Sequence, residues 1–171
     1  MRVILVLFMC VSFSATLPAY AQSQEHATFL GLPLGGDMET FVDSLEDRGY
    51  EVQTMSETVT SFTGMFDGVQ CIIEVHATPK SHTVHQVSVS FSEFMENEVA
   101  RMLKYRQIKK QLKRKYSAWD YRREKALDEW SSTYARISLG TRRFPGHRHK
   151  TLYVWWQDRA GWETLQEETG E

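Results

Sequence analysis

Apolar positions recur with two different periods along this chain, and the switches between them mark out its elements. Met38, Phe41, Val42 and Leu45 fall at helical spacing behind Asp37, which is suited to cap a helix. Glu39 is acidic in the first turn, and Gly49 predicts an end near Arg48. The period then drops to two. Val59 to Phe66 and Val69 to Ala77 flank Asp67-Gly68, a two-residue turn of the type I′ hairpin. That turn sets Phe66 opposite Val69, Gly64 opposite Cys71 and Phe62 opposite Ile73. One face then gathers Phe62, Phe66, Val69, Cys71, Ile73 and Val75, while Thr63, Gln70, Glu74 and His76 take the other. A half-buried sheet is predicted.

A turn at Thr78-Pro79-Lys80-Ser81 leads to a third strand, Val84 to Ser92. Met95 to Tyr116 holds neither proline nor glycine and predicts a long helix with the apolar stripe Phe94, Met102, Tyr105, Ile108, Leu112 and Tyr116. Residues 117–131 form a connector carrying Trp119 and Trp130. Two strands are expected near Tyr134 to Thr141 and Thr151 to Gln157, separated by Phe144-Pro145-Gly146, and a short acidic helix from Ala160 to Glu168 closes the chain. No internal repeat is visible. The order α-β-β-β-α-β-β-α lacks strand-helix alternation, so the predicted class is α+β: an antiparallel sheet of about five strands with helices on one face.

Before this domain stands a segment of different character. Arg2 is followed by an almost uninterrupted apolar run from Val3 to Phe13, and Ala19-Tyr20-Ala21 offers small residues for a signal peptidase. A membrane anchor needs about 20 apolar residues, whereas this run breaks at Ser12, Ser14 and Pro18. Cys10 follows Phe8-Met9 rather than small residues, which argues against a lipoprotein. The expected organisation is a signal peptide over 1–21, cleavage before Gln22, a polar leader over 22–27 and one domain over 28–168. The protein is thus expected to be exported, to the periplasm or beyond, and not to be an integral membrane protein. After cleavage only Cys71 remains, at an apolar strand position where a small buried hydrophobe is expected.

The run Phe29-Leu30-Gly31-Leu32-Pro33-Leu34-Gly35-Gly36, with Phe41, Leu45 and Gly49-Tyr50 behind it, resembles the opening of small secreted proteins of gut Bacteroidetes. In that family a F-x-G-I-P-x-x-G segment precedes a helix ending in Gly-Tyr or Gly-Phe. A G-x-F-x-G hairpin follows, matched here by Gly64-Met65-Phe66-Asp67-Gly68. Val87-Ser88-Val89-Ser90-Phe91 before a long helix fits the same layout, and the likeness covers most of residues 28–160. Leu32 replaces the usual isoleucine, and the long helix is unusually basic. The matching motifs are structural, so the resemblance implies a fold and transfers no catalytic residue. The layout is also similar, at fold level alone, to β-lactamase-inhibitor-protein folds and to small lipoproteins of outer-membrane assembly.

The 171 residues, 25% charged and 42% apolar, exclude collagen-like, disordered and multi-pass membrane classes. Six histidines raise a metal site, but by strand parity His76 faces outward and His85 inward, and Arg148 and Lys150 crowd His147 and His149. No metal or other cofactor is expected. No G-x-S-x-G elbow, phosphate loop, dinucleotide fingerprint or H-E-x-x-H occurs, and Glu39, Asp43, Glu46 and Asp47 form a solvated helix face, so no catalytic residue is assigned.

Charge is more informative. Residues 101–123 hold ten Lys or Arg and one Asp, against nine basic and 21 acidic residues in the rest of the chain after residue 21. Lys104, Lys109, Lys110, Lys113 and Arg114 are therefore a candidate surface for an anionic envelope component. The same cations could instead pair with Glu39, Asp43 or the C-terminal acids. Trp155 and Trp156 must face opposite ways. Parity sends Trp156 to the core with Leu152 and Val154, and leaves Tyr153 and Trp155 as an exposed pair for a glycan or another protein, unless the Trp119–Trp130 connector covers them. Nucleic acid is not an expected partner of an exported protein. The expectation is a non-enzymatic binding or cell-envelope module; the alternative is an enzyme acting on a cell-wall or glycan substrate.

Overall fold

The computed structural model describes residues 26–91, 97–143 and 149–170. The expected signal peptide with Cys10 and the Gln22 cleavage site, Phe94 of the helical stripe, the Phe144-Pro145-Gly146 turn and His147 lie outside the described residues. A short hairpin of β1 (Thr28–Phe29) and β2 (Leu32–Pro33) precedes α1 (Met38–Glu46). Four strands follow: β3 (Glu51–Met55), β4 (Val59–Phe66), β5 (Val69–Ala77) and β6 (Val84–Ser90). Then come α2 (Glu98–Lys115), β7 (Asp120–Glu124), β8 (Leu127–Ser131), β9 (Ala135–Arg142), β10 (Thr151–Asp158) and α3 (Arg159–Thr169).

The large sheet has the order β3-β4-β5-β6-β10-β9-β8-β7, and every neighbouring pair is antiparallel. This corrects the expected five-strand sheet in the order α-β-β-β-α-β-β-α: the fold is mostly β, with eight strands in one sheet, two in another, and three helices. β3, β7 and β8 account for the difference. β3 and β7 are edge strands, largely or wholly exposed, so neither shows the alternation of a half-buried strand. β8 points Asp128 and Trp130 inward, and the charged residue breaks the apolar pattern. The β7–β8 turn is made by Lys125 and Ala126, with Lys125 at a left-handed φ of 50° in place of the usual glycine or asparagine.

The strand order reads the same from both edges, and that exposes a repeat the sequence hides. One helix and a four-strand meander (α1, β3–β6) is followed by a second helix and meander (α2, β7–β10), and the last strands of the two halves, β6 and β10, pair at the centre.

Hairpin β4–β5 has the expected register, Phe66 against Val69, Gly64 against Cys71 and Phe62 against Ile73. Asp37 caps α1, accepting from the Thr40 N–H at 3.0 Å. The inner face of the sheet carries the core. Its rows run Phe62, Ile73, Val89, Val154, Leu139, Asp128 and, one register step on, Thr60, Val75, Val87, Trp156, Ile137, Trp130. The N-terminal hairpin and α1 cover one half: Phe29 stacks on Phe66 at 5.8 Å and meets Trp156 edge-on at 4.9 Å, while Met38, Phe41, Val42 and Leu45 are buried. Tyr50 lies against Gly64, where a side chain would stand 2.3 Å from its ring.

α2 covers the other half in an unusual way. Its buried residues are Arg101, Lys104, Ile108 and Leu112, so two of the four are cationic, and Met102 of the expected stripe is exposed. α3 lies along the ends of β6 and β10. Asp158 caps it by accepting from the Gly161 N–H at 3.0 Å, and the same carboxylate holds the Ala27 N–H and the His26 ring, tying the start of the described chain to its end.

Candidate functional site

With helices over the inner face, the outer face of the sheet carries the remaining side chains. Its central row is Ser61, Glu74, Ser88, Trp155, Ser138, Glu129, and the next is Thr63, Ile72, Ser90, Tyr153, Gly140, Leu127. Tyr153 and Trp155 therefore stand on the middle of an eight-strand surface, flanked by serines and glycine. Their rings stack at 5.0 Å with an interplanar angle of 19°, and both stay half-buried. They lean over β9. A Cβ on Gly140 would lie 2.7 Å from the Tyr153 hydroxyl, and Ser138 is fully buried with an unpartnered Oγ. Burial raises the Tyr153 phenol above its ordinary range, Arg142 opposing. The two acids of the central row have partners of their own: Glu74 accepts from the Ser88 hydroxyl and lies 3.8 Å from the His76 ring, and Glu129 pairs with Arg136 and Arg122.

The tryptophans thought able to cover this pair do something else. Trp130 is in the core against Tyr121, and Trp119 packs between Tyr116 and Tyr134. Among the described residues only α3 approaches the outer face, at one end, where Trp162 meets His85 at 5.9 Å.

The five cations singled out on α2 divide into two groups. Lys104 is buried and donates to the carboxylate and backbone oxygen of Asp67 in the β4–β5 turn, the carboxylate at 2.8 Å; Gln107 and Gln111 reach the same carboxylate. Lys109 donates to Asp128 at 2.8 Å. These two belong to the fold rather than to a surface, and their partners are Asp67 and Asp128 instead of Glu39, Asp43 or the C-terminal acids. Lys110, Lys113 and Arg114 are exposed, with the Lys113 ammonium 4.5 Å from the Tyr121 ring centre.

Around Asp128 the α2 anchor becomes a buried polar cluster. Besides Lys109, the carboxylate accepts from the hydroxyls of Tyr105 and Tyr121, the latter at 2.5 Å. Burial alone would raise the Asp128 carboxyl, but hydrogen bonds from Lys109 and both tyrosines hold it below the ordinary range. Burial and the bond to Asp128 push the Tyr105 phenol well above its own. A charge network of this kind fastens a helix that has few apolar residues to offer. Sequence reasoning missed it because Asp128 sits in a strand whose pattern it breaks.

Histidine placement corrects another expectation. A β-bulge between His76 and Ala77 undoes the parity argument, and the His76 and His85 rings lie 6.3 Å apart instead of diverging. Burial, helped by His76, lowers His85 to about 4 and keeps it neutral. Among the described residues no three His, Cys, Asp or Glu side chains converge as metal ligands. Cys71 is fully buried, and burial pushes its thiol up to about 11. Between α1 and the β3–β4 hairpin lies a groove of about 450 Å³, lined by the buried Met38 and Val42, the exposed Met55, and Glu39, Asp43 and Glu57. Among the described residues no helix is long and apolar enough to cross a membrane.

Comparison with known proteins finds no matching family model, curated protein or solved structure.

Proposed function

We propose that this chain is an exported, non-enzymatic binding module whose protein partner docks on the outer face of the central sheet. The observation that carries this reading is the stacked Tyr153–Trp155 pair, half-buried at the centre of that face and left uncovered by the described chain. Tryptophan and tyrosine are the residues that most often dominate protein interfaces, especially where small neighbours let a partner close around them. Ser88, Ser90, Ser138 and Gly140 are such neighbours. Each ring spends one face on the other, which suits insertion between partner side chains better than a sugar platform.

The alternative, an enzyme acting on a cell-wall or glycan substrate, draws no support from this face. Glu74 and Glu129 share a row but are four strands apart, about 19 Å at ordinary strand spacing. A hydrolytic pair works across about 5–9 Å. Export rests on the Arg2, Val3–Phe13 and Ala19-Tyr20-Ala21 pattern, and N-terminal sequencing that finds Gln22 first is the expected result.

The docking reading is tested with a photo-crosslinking side chain at Gln86, on the outer face, in the cells that make the protein. A discrete, protease-sensitive adduct should form and should vanish in Trp155→Ala at a temperature where the melt of that variant shows it folded. An adduct indifferent to Trp155→Ala, or none, overturns the reading.

A further inference from the structure

The outward side of α2 carries a second surface, independent of the sheet face. At 100° per residue, Val99, Met102, Leu103, Arg106, Lys110, Lys113 and Arg114 fall within one arc of about 120°, opposite the buried Ile108 and Leu112. The arc contains no acid; the one acidic residue of α2 is Glu98, at its first position. It is also ordered along the axis. Val99, Met102 and Leu103 are 56%, 44% and 58% exposed, three large apolar side chains together at the N-terminal end. The cations occupy the rest, and the whole strip is about 22 Å long. Among the described residues Arg106, Lys110 and Arg114 form no ion pair.

The inward side explains why this arc is presented so definitely. Lys104 on Asp67 and Lys109 on Asp128 pin the helix from two sides. Their charges are consumed by the fold, whereas those of Arg106, Lys110 and Arg114 stay available. A cationic strip alone would suit any polyanion. Three exposed apolar side chains in line with it have no use on a soluble polyanion, but they suit a surface with an anionic layer over a hydrocarbon one. A protein partner is less well matched, because the arc offers no aromatic anchor.

We propose that α2 seats the protein on an anionic lipid surface, with Val99, Met102 and Leu103 entering the headgroup boundary and Arg106, Lys110 and Arg114 lying against lipid phosphates. α2 sits on the helix side of the sheet, so this seating turns the Tyr153–Trp155 face away from the bilayer and leaves it open.

The test is co-sedimentation of the full chain with vesicles of phosphatidylcholine, with and without phosphatidylglycerol. Every variant carries the same N-terminus, so the apolar run at Val3–Phe13 contributes equally throughout. Binding should be strengthened by phosphatidylglycerol, and that gain should weaken as salt is raised. Each cation near an anionic surface is worth about fivefold in partitioning, so Arg106→Gln, Lys110→Gln and Arg114→Gln together should cost about 100-fold. Met102→Ser with Leu103→Ser should cost about tenfold even at low salt. All five positions are exposed, so melting temperatures should stay at the parent value, and Trp155→Ala should leave vesicle binding unchanged. Binding without phosphatidylglycerol preference, or binding indifferent to loss of the cations, overturns the proposal. So does full binding by the serine variant, together with equal affinity for soluble polyphosphate; that result assigns the arc to an anionic polymer.

Discussion

Replacing Asp128 with alanine should lower stability by about 3 kcal/mol, the low end of the range for removing one member of a buried ion pair. The carboxylate is fully buried and accepts from Lys109, Tyr105 and Tyr121, so its loss leaves the Lys109 ammonium and the Tyr105 phenol without their partner beneath α2, while the exposed Tyr121 can turn to water. The low end applies because the Lys109 side chain is 19% exposed and can recover some water. In a chain of this size the expected drop in melting temperature is roughly 6–12 °C. Acid gives an independent reading. The Asp128 carboxyl titrates below its ordinary range in the folded state, so over that interval the unfolded chain binds more protons. Its stabilisation is therefore present above the ordinary carboxylate value and lost as pH falls through the folded one. Lys109 works from the other side: burial opposes its charge, but bonds to Asp128 and Tyr121 raise it, so its share is complete below the ordinary lysine value and fades only above it. Thermal melts followed by circular dichroism across the acid range measure the Asp128 effect and across the alkaline range the Lys109 effect, and a cycle with Lys109→Met isolates the pair. Asp128→Ala melting within about 1 °C of the parent, with an unchanged acid limb, would refute the view that this cluster fastens α2.

Three further outcomes are expected. His85 titrates near 4 when folded against 6.5 in its ordinary state, so stability should decline by up to about 3 kcal/mol as pH falls from 6.5 to 4; melts of His85→Phe should be flatter over that window, and an unchanged slope counts against burial of the neutral ring. Gly64→Ala puts a Cβ 2.3 Å from the Tyr50 ring and should cost about 1–3 kcal/mol, whereas in a Tyr50→Leu background it should cost little; equal costs in both would show that the ring is not the obstacle. Cys71, buried and with its thiol raised to about 11, should resist alkylation in the native protein and react fully in denaturant; rapid native labelling, read by mass, would contradict its inward placement.

Local chemistry by itself determined a good deal of this protein. Asp37 before Met38, Phe41, Val42 and Leu45 specified a capped helix, and Asp67-Gly68 between two alternating runs specified a hairpin and its register, because those signals act within a few residues. Alternation also placed Trp156 inward and Tyr153 and Trp155 outward. Other features needed the tertiary structure. The edge strands β3 and β7 become strands by pairing with a neighbour, not by burying a face of their own. The bulge at His76 shifts parity by one residue, which no periodicity argument can register. The roles of the α2 lysines were decided at the greatest distance in sequence. Lys104 shares the helix phase of Ile108 and Leu112 and Lys110 does not, but only the fold brings Asp67 to Lys104, where it pairs a charge that the inward side would otherwise leave buried. A charge is spent or left free according to what the rest of the fold sets opposite it, and Asp67 is 37 residues away.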